Sequence, residues 1–336
     1  MRLLVVGGAG FIGSHIVEQA LASARPPEVA VLDNLSSGRR DNVPAGVPFY
    51  HVDIRDPAAV LAAFEEFRPQ VVSLQAAQAS VAVSVRDPLL DAGINILGGL
   101  NVLQAAVATG VGRVVFASSG GAIYGEVAPG HAAGEDDPKH PFSPYAASKL
   151  ALESYLEMYR LQYGLPSTVL RYANVYGPRQ DPHGEAGVIA IFAQRLLDGE
   201  SLPVNSSSDG DPAGCVRDYV YVGDVAAANL AAARGVLRAS VYNVGSGSAQ
   251  STRQAAEALA AALGVTPHFE PRLSRPGDLQ RSVLDPARLR AERPAFTSFQ
   301  DGIAATAHWF GERARGAGLF PPSPLAPLDQ HAGAAD

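Results

Sequence analysis

A glycine-rich segment directly after a short apolar run constrains the fold of this chain more than any other feature. Residues 3–6 read Leu-Leu-Val-Val, residues 7–13 read Gly-Gly-Ala-Gly-Phe-Ile-Gly, and an amphipathic helix is predicted over residues 12–21. Glycines permit the tight turn, the approach of the backbone to a pyrophosphate and the packing of helix on strand. The positive helix end attracts the phosphates. The segment predicts a dinucleotide site with cofactor contacts at Gly7, Gly10, Phe11, Ile12 and Gly13.

An acidic residue at the end of the second predicted strand supports the same site. Asp33 lies about twenty residues after the glycines, where a carboxylate hydrogen-bonds the ribose hydroxyls of adenosine. A carboxylate also repels a 2′-phosphate, so Asp33 favours NAD over NADP. Arg39 and Arg40 argue the other way, and we interpret them as solvated loop residues.

Short apolar runs alternate with amphipathic stretches through the first half of the chain. Strands are predicted at 29–32, 71–74 and 114–117, and helices at 57–67 and 94–108, with Asp56 capping the first helix ahead of Pro57. The regularity falls after residue 177, where a helix at 188–197 and a polar loop at 205–214 are predicted.

This alternation predicts an α/β fold, with a doubly wound parallel Rossmann sheet and a smaller C-terminal α/β substrate lobe. Residues 1–176 form the predicted NAD-binding domain, to which segments at about 216–246 return. Residues 177–315 form mainly the substrate-binding lobe. Residues 316–336 are rich in Pro, Ala and Gly and form a predicted flexible tail.

Composition restricts the classes of partner. The 336 residues include 26 Lys and Arg against 33 Asp and Glu, and a net charge of −7 argues against a nucleic-acid surface. The single cysteine, Cys215, excludes an intrachain disulfide, and the histidines show no metal-ligand spacing, so no metal is expected. The first apolar run is too short for a membrane span or a signal peptide. We expect a cytoplasmic protein without a membrane partner.

Tyr145 and Lys149 stand four residues apart at the start of a predicted helix that runs to about residue 163. That spacing places both side chains on one helix face, so an ammonium lies near a phenol. Positive charge from Lys149 and from an oxidised nicotinamide favours the phenolate, which makes Tyr145 a general base for a substrate hydroxyl. A Tyr and a Lys at this spacing are common by chance. They indicate a catalytic function here because they follow the glycine turn and Asp33 in the order expected of such an enzyme.

The motifs together resemble the extended short-chain dehydrogenase/reductase family and, within it, the UDP-sugar 4-epimerases of the UDP-galactose 4-epimerase type. The resemblance runs from Met1 to about Leu289. It rests on the glycine turn and on motifs that start at Asp33 (Asp-Asn-Leu-Ser-Ser-Gly), Asp53 (Asp-Ile-Arg-Asp), Ala76 (Ala-Ala), Ser118 (Ser-Ser-Gly-Gly-Ala-Ile-Tyr-Gly), Tyr145 (Tyr-Ala-Ala-Ser-Lys), Arg171 (Arg-Tyr-Ala-Asn-Val-Tyr-Gly-Pro-Arg), Arg217 (Arg-Asp-Tyr-Val-Tyr-Val) and Arg275 (Arg-Pro-Gly-Asp).

This resemblance implies an NAD-dependent epimerase, a homodimer, and roles for further residues. Besides the glycine turn, Asp33, Tyr145 and Lys149, the implied NAD contacts are Asn34, Ser37, Gly38, Asp53, Ile54, Ala76, Ala77 and Tyr172. The implied substrate contacts are Gly120, Gly121, Asn174, Gly187, Val188, the diphosphate clamp Arg217 and Arg275, and Asp278 on the uridine ribose. Guanidinium forks pair with phosphate oxygens, so two local arginines let an acidic protein bind an anion.

The chain departs from the family pattern at three places. Gly120 occupies the position where relatives commonly have a catalytic Ser or Thr, so Ser118, Ser119 or a water relays the proton, or Tyr145 acts directly on the substrate. Leu74-Gln75 precedes the Ala-Ala pair, where relatives often have His. The loop at 205–214 is longer and more polar than the usual turn.

The resemblance implies inversion at C4 of a UDP-sugar through a transient 4-keto intermediate. UDP-glucose/UDP-galactose and UDP-glucuronate/UDP-galacturonate are the expected pairs, and an N-acetylated sugar stays open. A 4,6-dehydratase or uronate decarboxylase is the nearest alternative. Such enzymes typically carry carboxylate side chains at the positions where this chain has Gly121-Ala122. A non-catalytic NAD-binding sensor is the second alternative, and such proteins tend to lose the Tyr and Lys pair.

Overall fold

A parallel β-sheet of seven strands forms the centre of the molecule. The computed structural model describes residues 1–183, 187–206, 213–273, 279–293 and 295–316. Its strands are β1 (Arg2–Val6), β2 (Glu28–Asp33), β3 (Phe49–His51), β4 (Val71–Leu74), β5 (Arg113–Ser119), β6 (Ser167–Tyr172), β7 (Asn174–Tyr176), β8 (Leu202–Ser206), β9 (Val216–Tyr221), β10 (Val241–Val244), β11 (Ala249–Ser251), β12 (Phe269–Leu273) and β13 (Arg281–Ser282). The central sheet has the order β10-β6-β5-β4-β1-β2-β3, with every pair parallel. The predicted doubly wound Rossmann sheet is confirmed, and its switch point lies between β1 and β4.

Helices cover both faces of this sheet, and others pack in a lobe outside it. They are α1 (Phe11–Leu21), α2 (Pro57–Phe67), α3 (Val81–Arg86), α4 (Pro88–Ala92), α5 (Gly99–Thr109), α6 (Gly120–Ile123), α7 (Pro144–Tyr163), α8 (Val188–Leu197), α9 (Val222–Ala233), α10 (Thr252–Leu263), α11 (Ala287–Glu292) and α12 (Phe299–Gly316). Successive side chains of β1 point to opposite faces. Leu3 and Val5 join one core with α1 and α9, whereas Leu4 and Val6 join the other with α2, α5 and α7.

The helix predicted at 94–108 begins earlier than expected. The backbone is helical from α4, passes through a π-helical turn at Gly93–Gly98, and continues into α5. Asp87 caps the start of α4 by accepting from the Leu90 N–H at 2.9 Å, with Pro88 in the first turn. The predicted cap of α2 is confirmed, because the Asp56 carboxylate accepts from the N–H groups of Ala58 and Ala59.

A third hydrophobic core lies outside the central sheet. It joins α8, α10 and α12 with strands β8 and β9, around the buried rings of Tyr176 and Phe192. β9 pairs with β7, β11 and β13, and β8 pairs with β12. Within the predicted returning segment of 216–246, β10 pairs with β6 in the central sheet, whereas β9 lies in the separate sheet. The division into domain and lobe stays a prediction.

Two expectations fall wholly or partly outside the described residues. The polar loop at 205–214 starts later than predicted, because Asn205 still belongs to β8, and residues 207–212 are not described. The tail from residue 317 onward is likewise outside them, and α12 extends to Gly316.

One helical stretch of the described residues, Pro88–Thr109, is long and apolar enough to cross a membrane by length and composition alone. A core helix of a soluble protein passes the same test, so this is weak evidence. Its polar residues Asp91 and Asn95 are buried and hydrogen-bonded to other parts of this chain.

Candidate active site

The glycine turn between β1 and α1 is packed so closely that side chains cannot enter it. Gly7 has φ +85°, and a Cβ on it would lie 2.5 Å from the backbone nitrogen of Ala76. A Cβ on Gly13 would overlap the carbonyl oxygen of Gly7. The turn therefore touches the Ala76-Ala77 segment that follows β4, and it brings two predicted parts of the cofactor site together.

The first turn of α1 is suited to an anion. Its N-cap, Gly10, offers no side-chain oxygen, and no acidic residue lies in the first turn. Gly10, Phe11 and Ile12 are all half-buried, at the edge where β1 ends. Helix N–H groups and a positive macrodipole attract phosphate, so these residues fit the pyrophosphate of a dinucleotide.

Asp33 is fixed at the end of β2 by the glycine turn itself. Its carboxylate accepts from the Ala9 N–H at 2.9 Å and from the Leu35 N–H at 2.8 Å. Burial raises the pKa of this carboxyl. A Cβ on Gly38 would lie 3.0 Å from its oxygen, so a glycine at 38 leaves the carboxylate accessible from that side. This cradle fits an adenosine ribose.

The remaining adenosine contacts predicted from the resemblance surround Asp33. Asn34 donates to the Asp53 carboxylate at 3.0 Å, and the hydrogen bonds from Arg55 hold the pKa of Asp53 well below its usual range. Ser37 is exposed, whereas Ile54 is buried against Gly98. These residues line one rim of the predicted cofactor site.

Arg40 is exposed, in agreement with its interpretation as a solvated residue. Its guanidinium also contacts the protein, since it lies 4.8 Å from the centre of the Phe49 ring and donates to the Val43 carbonyl at 3.2 Å.

The predicted catalytic pair lies in the first turns of α7. Ser143 caps this helix through the Ala146 N–H at 3.2 Å, and Pro144 occupies its first turn. The Lys149 Nζ donates to the Ala117 carbonyl of β5 at 2.9 Å and lies 5.8 Å from the centre of the Tyr145 ring. Lys149 is buried and Tyr145 half-buried, so a positive charge is held beside an accessible phenol.

The two serines at the end of β5 differ in what they can do. Ser118 is buried, and its hydroxyl donates to Glu153 of α7 at 2.5 Å. Its predicted role as a proton relay is therefore disfavoured, because the hydroxyl is committed to a carboxylate on the protein side. Ser119, at the start of α6, is half-buried and stays the predicted relay.

Behind Ser118 lies a polar network that sequence reasoning missed. Arg171 of β6 binds Glu153 through its Nε at 3.0 Å and its Nη2 at 2.6 Å, and its Nη1 donates to the Tyr124 hydroxyl at 2.8 Å. Burial raises the pKa of Tyr124 to about 12. Glu153 lies one turn after Lys149 on α7, so the network fixes the catalytic helix against the sheet.

Gln75, whose effect the sequence left open, closes a second buried ring. Its side-chain nitrogen donates to Asn229 of α9 at 2.9 Å, and its oxygen accepts from the Tyr172 hydroxyl at 3.1 Å. Asn229 in turn donates to the Tyr172 hydroxyl at 2.7 Å. Tyr172 therefore uses its hydroxyl inside the protein, and a contact with cofactor is left to its ring or backbone.

The packing around Gly120 explains why a glycine occupies the position where relatives commonly have Ser or Thr. A Cβ on Gly120 would lie 2.5 Å from the Leu284 Cδ1, whereas the nearest heavy atom to a Cβ on Gly121 is the Asn174 Nδ2, at 3.6 Å. Leu284 fills the space that a side chain at 120 would need. A Cβ on Gly121 would therefore make only ordinary van der Waals contacts, the nearest of them with Asn174.

Of the two arginines of the predicted diphosphate clamp, the structure describes only Arg217. Arg217 donates to the carbonyls of Leu279 at 2.6 Å and Val216 at 2.9 Å, which fixes its guanidinium half-buried beside the strand β13. Gly187 and Val188 begin α8. Arg275 and Asp278 lie outside the described residues, as does the segment 184–186 that precedes Gly187.

Comparison with known proteins assigns the chain to a family. The model of the NAD dependent epimerase/dehydratase family matches residues 3–245. The chain belongs to this family. An NAD-dependent epimerase/dehydratase fits the cradle of glycines and the Asp33 carboxylate, and the predicted cofactor, NAD, is confirmed.

Individual members of the family agree with this assignment. The UDP-glucose 4-epimerase of Mycolicibacterium smegmatis is 43% identical over 94% of this chain and 100% of its own length. The structure of Thermus thermophilus UDP-glucose 4-epimerase in complex with NAD has a TM-score of 0.87 and 57% identity, over 94% of this chain and all of that one. The Thermotoga maritima UDP-glucose 4-epimerase with UDP-glucose has a TM-score of 0.85 and 41% identity, over 94% of this chain and 100% of that one. The predicted resemblance to UDP-sugar 4-epimerases is confirmed.

Proposed function

We propose that this family member is an NAD-dependent 4-epimerase that interconverts UDP-glucose and UDP-galactose in the cytoplasm. The observation that carries the proposal is the position of Lys149, whose Nζ is held 2.9 Å from the Ala117 carbonyl and beside the Tyr145 ring. This pair lies at the carboxyl edge of the sheet, where β1, β4 and β5 end and where ligands bind in doubly wound folds.

NAD would be held by the glycine turn, the first turn of α1 and the Asp33 carboxylate. The chemistry that it supplies when bound is reversible acceptance of a hydride from the sugar C4 carbon. Tyr145 takes the proton of the 4-hydroxyl group, and the Lys149 ammonium stabilises the phenolate that can do so. Once the 4-keto sugar has presented its other face, Tyr145 returns the proton to the 4-oxygen. Inversion then requires no net oxidation.

The substrate contacts remain a proposal that chemistry supports. Arg217 and Arg275 would pair with the diphosphate, Asp278 with the uridine ribose, and Asn174, Gly187 and Val188 with the sugar nucleotide. A diphosphate held at one end leaves the sugar free to turn about the linkage while the reacting carbon stays within reach. Ser119 would relay the proton where Tyr145 is too far from the hydroxyl.

Homodimer formation is proposed from an apolar helix face as well as from the resemblance. Leu89 on α4 is 84% exposed and Leu97 in the π-turn 61%, while Leu161 on the neighbouring α7 is 69% exposed. A second copy in a two-fold arrangement would cover these side chains. Light scattering on the purified protein should give twice the chain mass, and replacing Leu89 with Glu should shift it toward the monomer; a monomeric wild type would overturn this part.

The function is tested by product analysis. Purified protein should release NAD on denaturation, and incubation with UDP-glucose should yield UDP-galactose on chromatography. UDP-glucuronate and UDP-N-acetylglucosamine, tested in parallel, establish whether the site admits a carboxylate or an N-acetyl group. Formation of a pentose from UDP-glucuronate, or of a dehydrated keto sugar, would replace the epimerase assignment with a decarboxylase or dehydratase. No turnover of any UDP-sugar with NAD bound would favour the sensor.

A further inference from the structure

A completely buried carboxylate connects the predicted cofactor wall with the catalytic helix. Asp91 of α4 has 0% of its surface exposed. Its Oδ1 accepts from the Gln78 Nε2 and from the Asn95 Nδ2, both at 2.9 Å, and its Oδ2 accepts from the Ser148 Oγ at 2.6 Å. The donors come from the segment after β4, from the π-turn and from α7. One side chain thus joins three separate parts of the fold.

The first of these parts is the wall beside the glycine turn. Gln78 directly follows Ala76-Ala77, and Ala76 is hydrogen-bonded to β1 through the Val6 carbonyl at 2.9 Å. The Asn95 side chain also forms two hydrogen bonds with the Gln78 backbone. Its Oδ1 accepts from the Gln78 N–H and its Nδ2 donates to the Gln78 carbonyl, both at 2.9 Å. Asp91 and Asn95 together fix the course of this segment.

The second part is the start of α7. Ser148 immediately precedes Lys149 and lies three residues after Tyr145, so a bond on its hydroxyl fixes the turn that carries both predicted catalytic side chains. Neither Asp91 nor Ser148 was among the residues expected to act in catalysis. Their bond joins α7 to α4, next to the residue whose ammonium binds β5.

The number of acceptor atoms explains why a carboxylate is used at this position. Burying a carboxylate is unfavourable unless hydrogen bonds satisfy it, and the three donors to Asp91 are all neutral side chains. A carboxylate offers two acceptor oxygens to these donors, whereas an amide offers only one. The adjoining π-turn is a kind of distortion that occurs frequently at functional sites.

We propose that Asp91 is a positioning residue that sets the register between the 75–80 segment and α7. Through it, the wall of the cofactor site and the pair Tyr145 and Lys149 keep one fixed separation. The kinetic consequence rests on the proposed function, whereas the mechanical coupling does not.

Two variants and one matched control test the coupling. Asp91→Asn keeps the size of the side chain but replaces one acceptor oxygen with a donor, so at least one of the three bonds is lost or has to reverse its direction. Ser148→Ala removes only the bond to α7. Asp87→Asn is the control, because Asp87 is exposed, lies one turn earlier on the same stretch and caps α4 through the Leu90 N–H.

Hydrogen exchange measured by mass spectrometry on the purified protein, with the dinucleotide that it carries, gives the first result. Asp91→Asn should accelerate exchange in both the 75–80 and the 144–150 segments, and Ser148→Ala in the 144–150 segment. Asp87→Asn should leave both segments unchanged even if it lowers the melting temperature. Unchanged exchange in both segments of Asp91→Asn would overturn the proposal, and if that variant does not fold, unchanged exchange in Ser148→Ala would do the same.

Kinetics of the NAD-loaded enzyme give the second result. A misplacement of about 1 Å can cost about a hundredfold in rate, so we expect kcat to fall at least tenfold in Asp91→Asn, with KM for the UDP-sugar changed less than twofold. A lower melting temperature with unchanged kcat would show a merely stabilising residue and overturn the proposal. If the wild type epimerises no UDP-sugar, the proposed function fails by itself. The decisive readouts are then the exchange data and NAD affinity, which should fall in Asp91→Asn and stay unchanged in Asp87→Asn.

Discussion

The Nζ of Lys149 lies 5.8 Å from the centre of the Tyr145 ring and donates to the Ala117 carbonyl at the end of β5. A buried ammonium would be costly without a partner, and the carbonyl supplies one while leaving the positive charge next to the phenol. The strand end therefore determines where the catalytic charge lies, and the helix determines which side chain benefits from it.

Replacing Tyr145 with Phe should remove turnover while NAD stays bound. General acid–base groups typically contribute about 10²- to 10⁴-fold, so kcat should fall by at least about 10²-fold. Product chromatography and the amount of dinucleotide released on denaturation measure the two properties. Tyr155→Phe, on an exposed position of the same helix, is the control and should keep full activity. Wild-type turnover in the Tyr145 variant would remove this residue as the base.

Replacing Gly120 with Ala should destabilise the protein, because the new methyl group meets Leu284, which is fully buried. Overpacking of this kind costs about 1–3 kcal/mol of unfolding free energy. Gly121→Ala is the matched control, since its nearest neighbour lies 3.6 Å from the new carbon, and its stability should stay close to that of wild type. Urea denaturation of both variants measures their free energies of unfolding. Equal stabilities would mean that Leu284 is not what keeps position 120 a glycine.

Replacing Glu153 with Gln should be one of the most destabilising changes in α7. Arg171 would keep its burial and lose its counter-charge, and breaking a buried ion pair costs about 3–5 kcal/mol. Glu157→Gln breaks an exposed pair with Arg160 on the same helix and should leave the denaturation midpoint unchanged. If the two variants unfold at the same urea concentration, the buried pair does not hold the helix.

The stability of the folded chain should depend on pH through His15. Burial, together with the nearby Arg179 cation, lowers the pKa of His15 from 6.5 to about 4. The unfolded chain then binds a proton at higher pH than the folded chain. The stabilisation is complete above pH 6.5 and is lost as the pH falls toward 4, by at most about 3 kcal/mol.

Urea denaturation at about pH 7 and about pH 4.5 measures this dependence. His15→Gln should lose less stability between the two conditions than wild type does. His268→Gln, at an exposed position, should behave like wild type. An identical loss in all three proteins would contradict the assignment to His15.

Local patterns were sufficient to predict the central sheet and the backbone of the cofactor site. The glycine turn, Asp33 and the Asp56 cap depend on residues close in sequence, where steric and hydrogen-bonding rules act directly. The helical spacing of Tyr145 and Lys149 likewise follows from the period of an α-helix.

Contacts between distant segments could not be predicted in this way. Ser118 and Ser119 are neighbours in sequence, yet the alternation of β5 sends one hydroxyl to Glu153 and leaves the other near the site edge. Gln75 finds its partners 97 and 154 residues away, at Tyr172 and Asn229. For Asp91 the sequence offered one signal, its position within the apolar stretch that follows Pro88. An Asp is rarely buried unless it has a hydrogen-bonding or charged partner.

The contact between Gly7 and Ala76 limits how this enzyme can be redesigned. Since backbone meets backbone there, a side chain cannot be introduced at Gly7 to alter cofactor preference. Any engineering toward NADP must start from the rim, where Asp33 faces Gly38 and Arg40 already lies on Phe49. Such changes would have to leave the glycine turn unaltered.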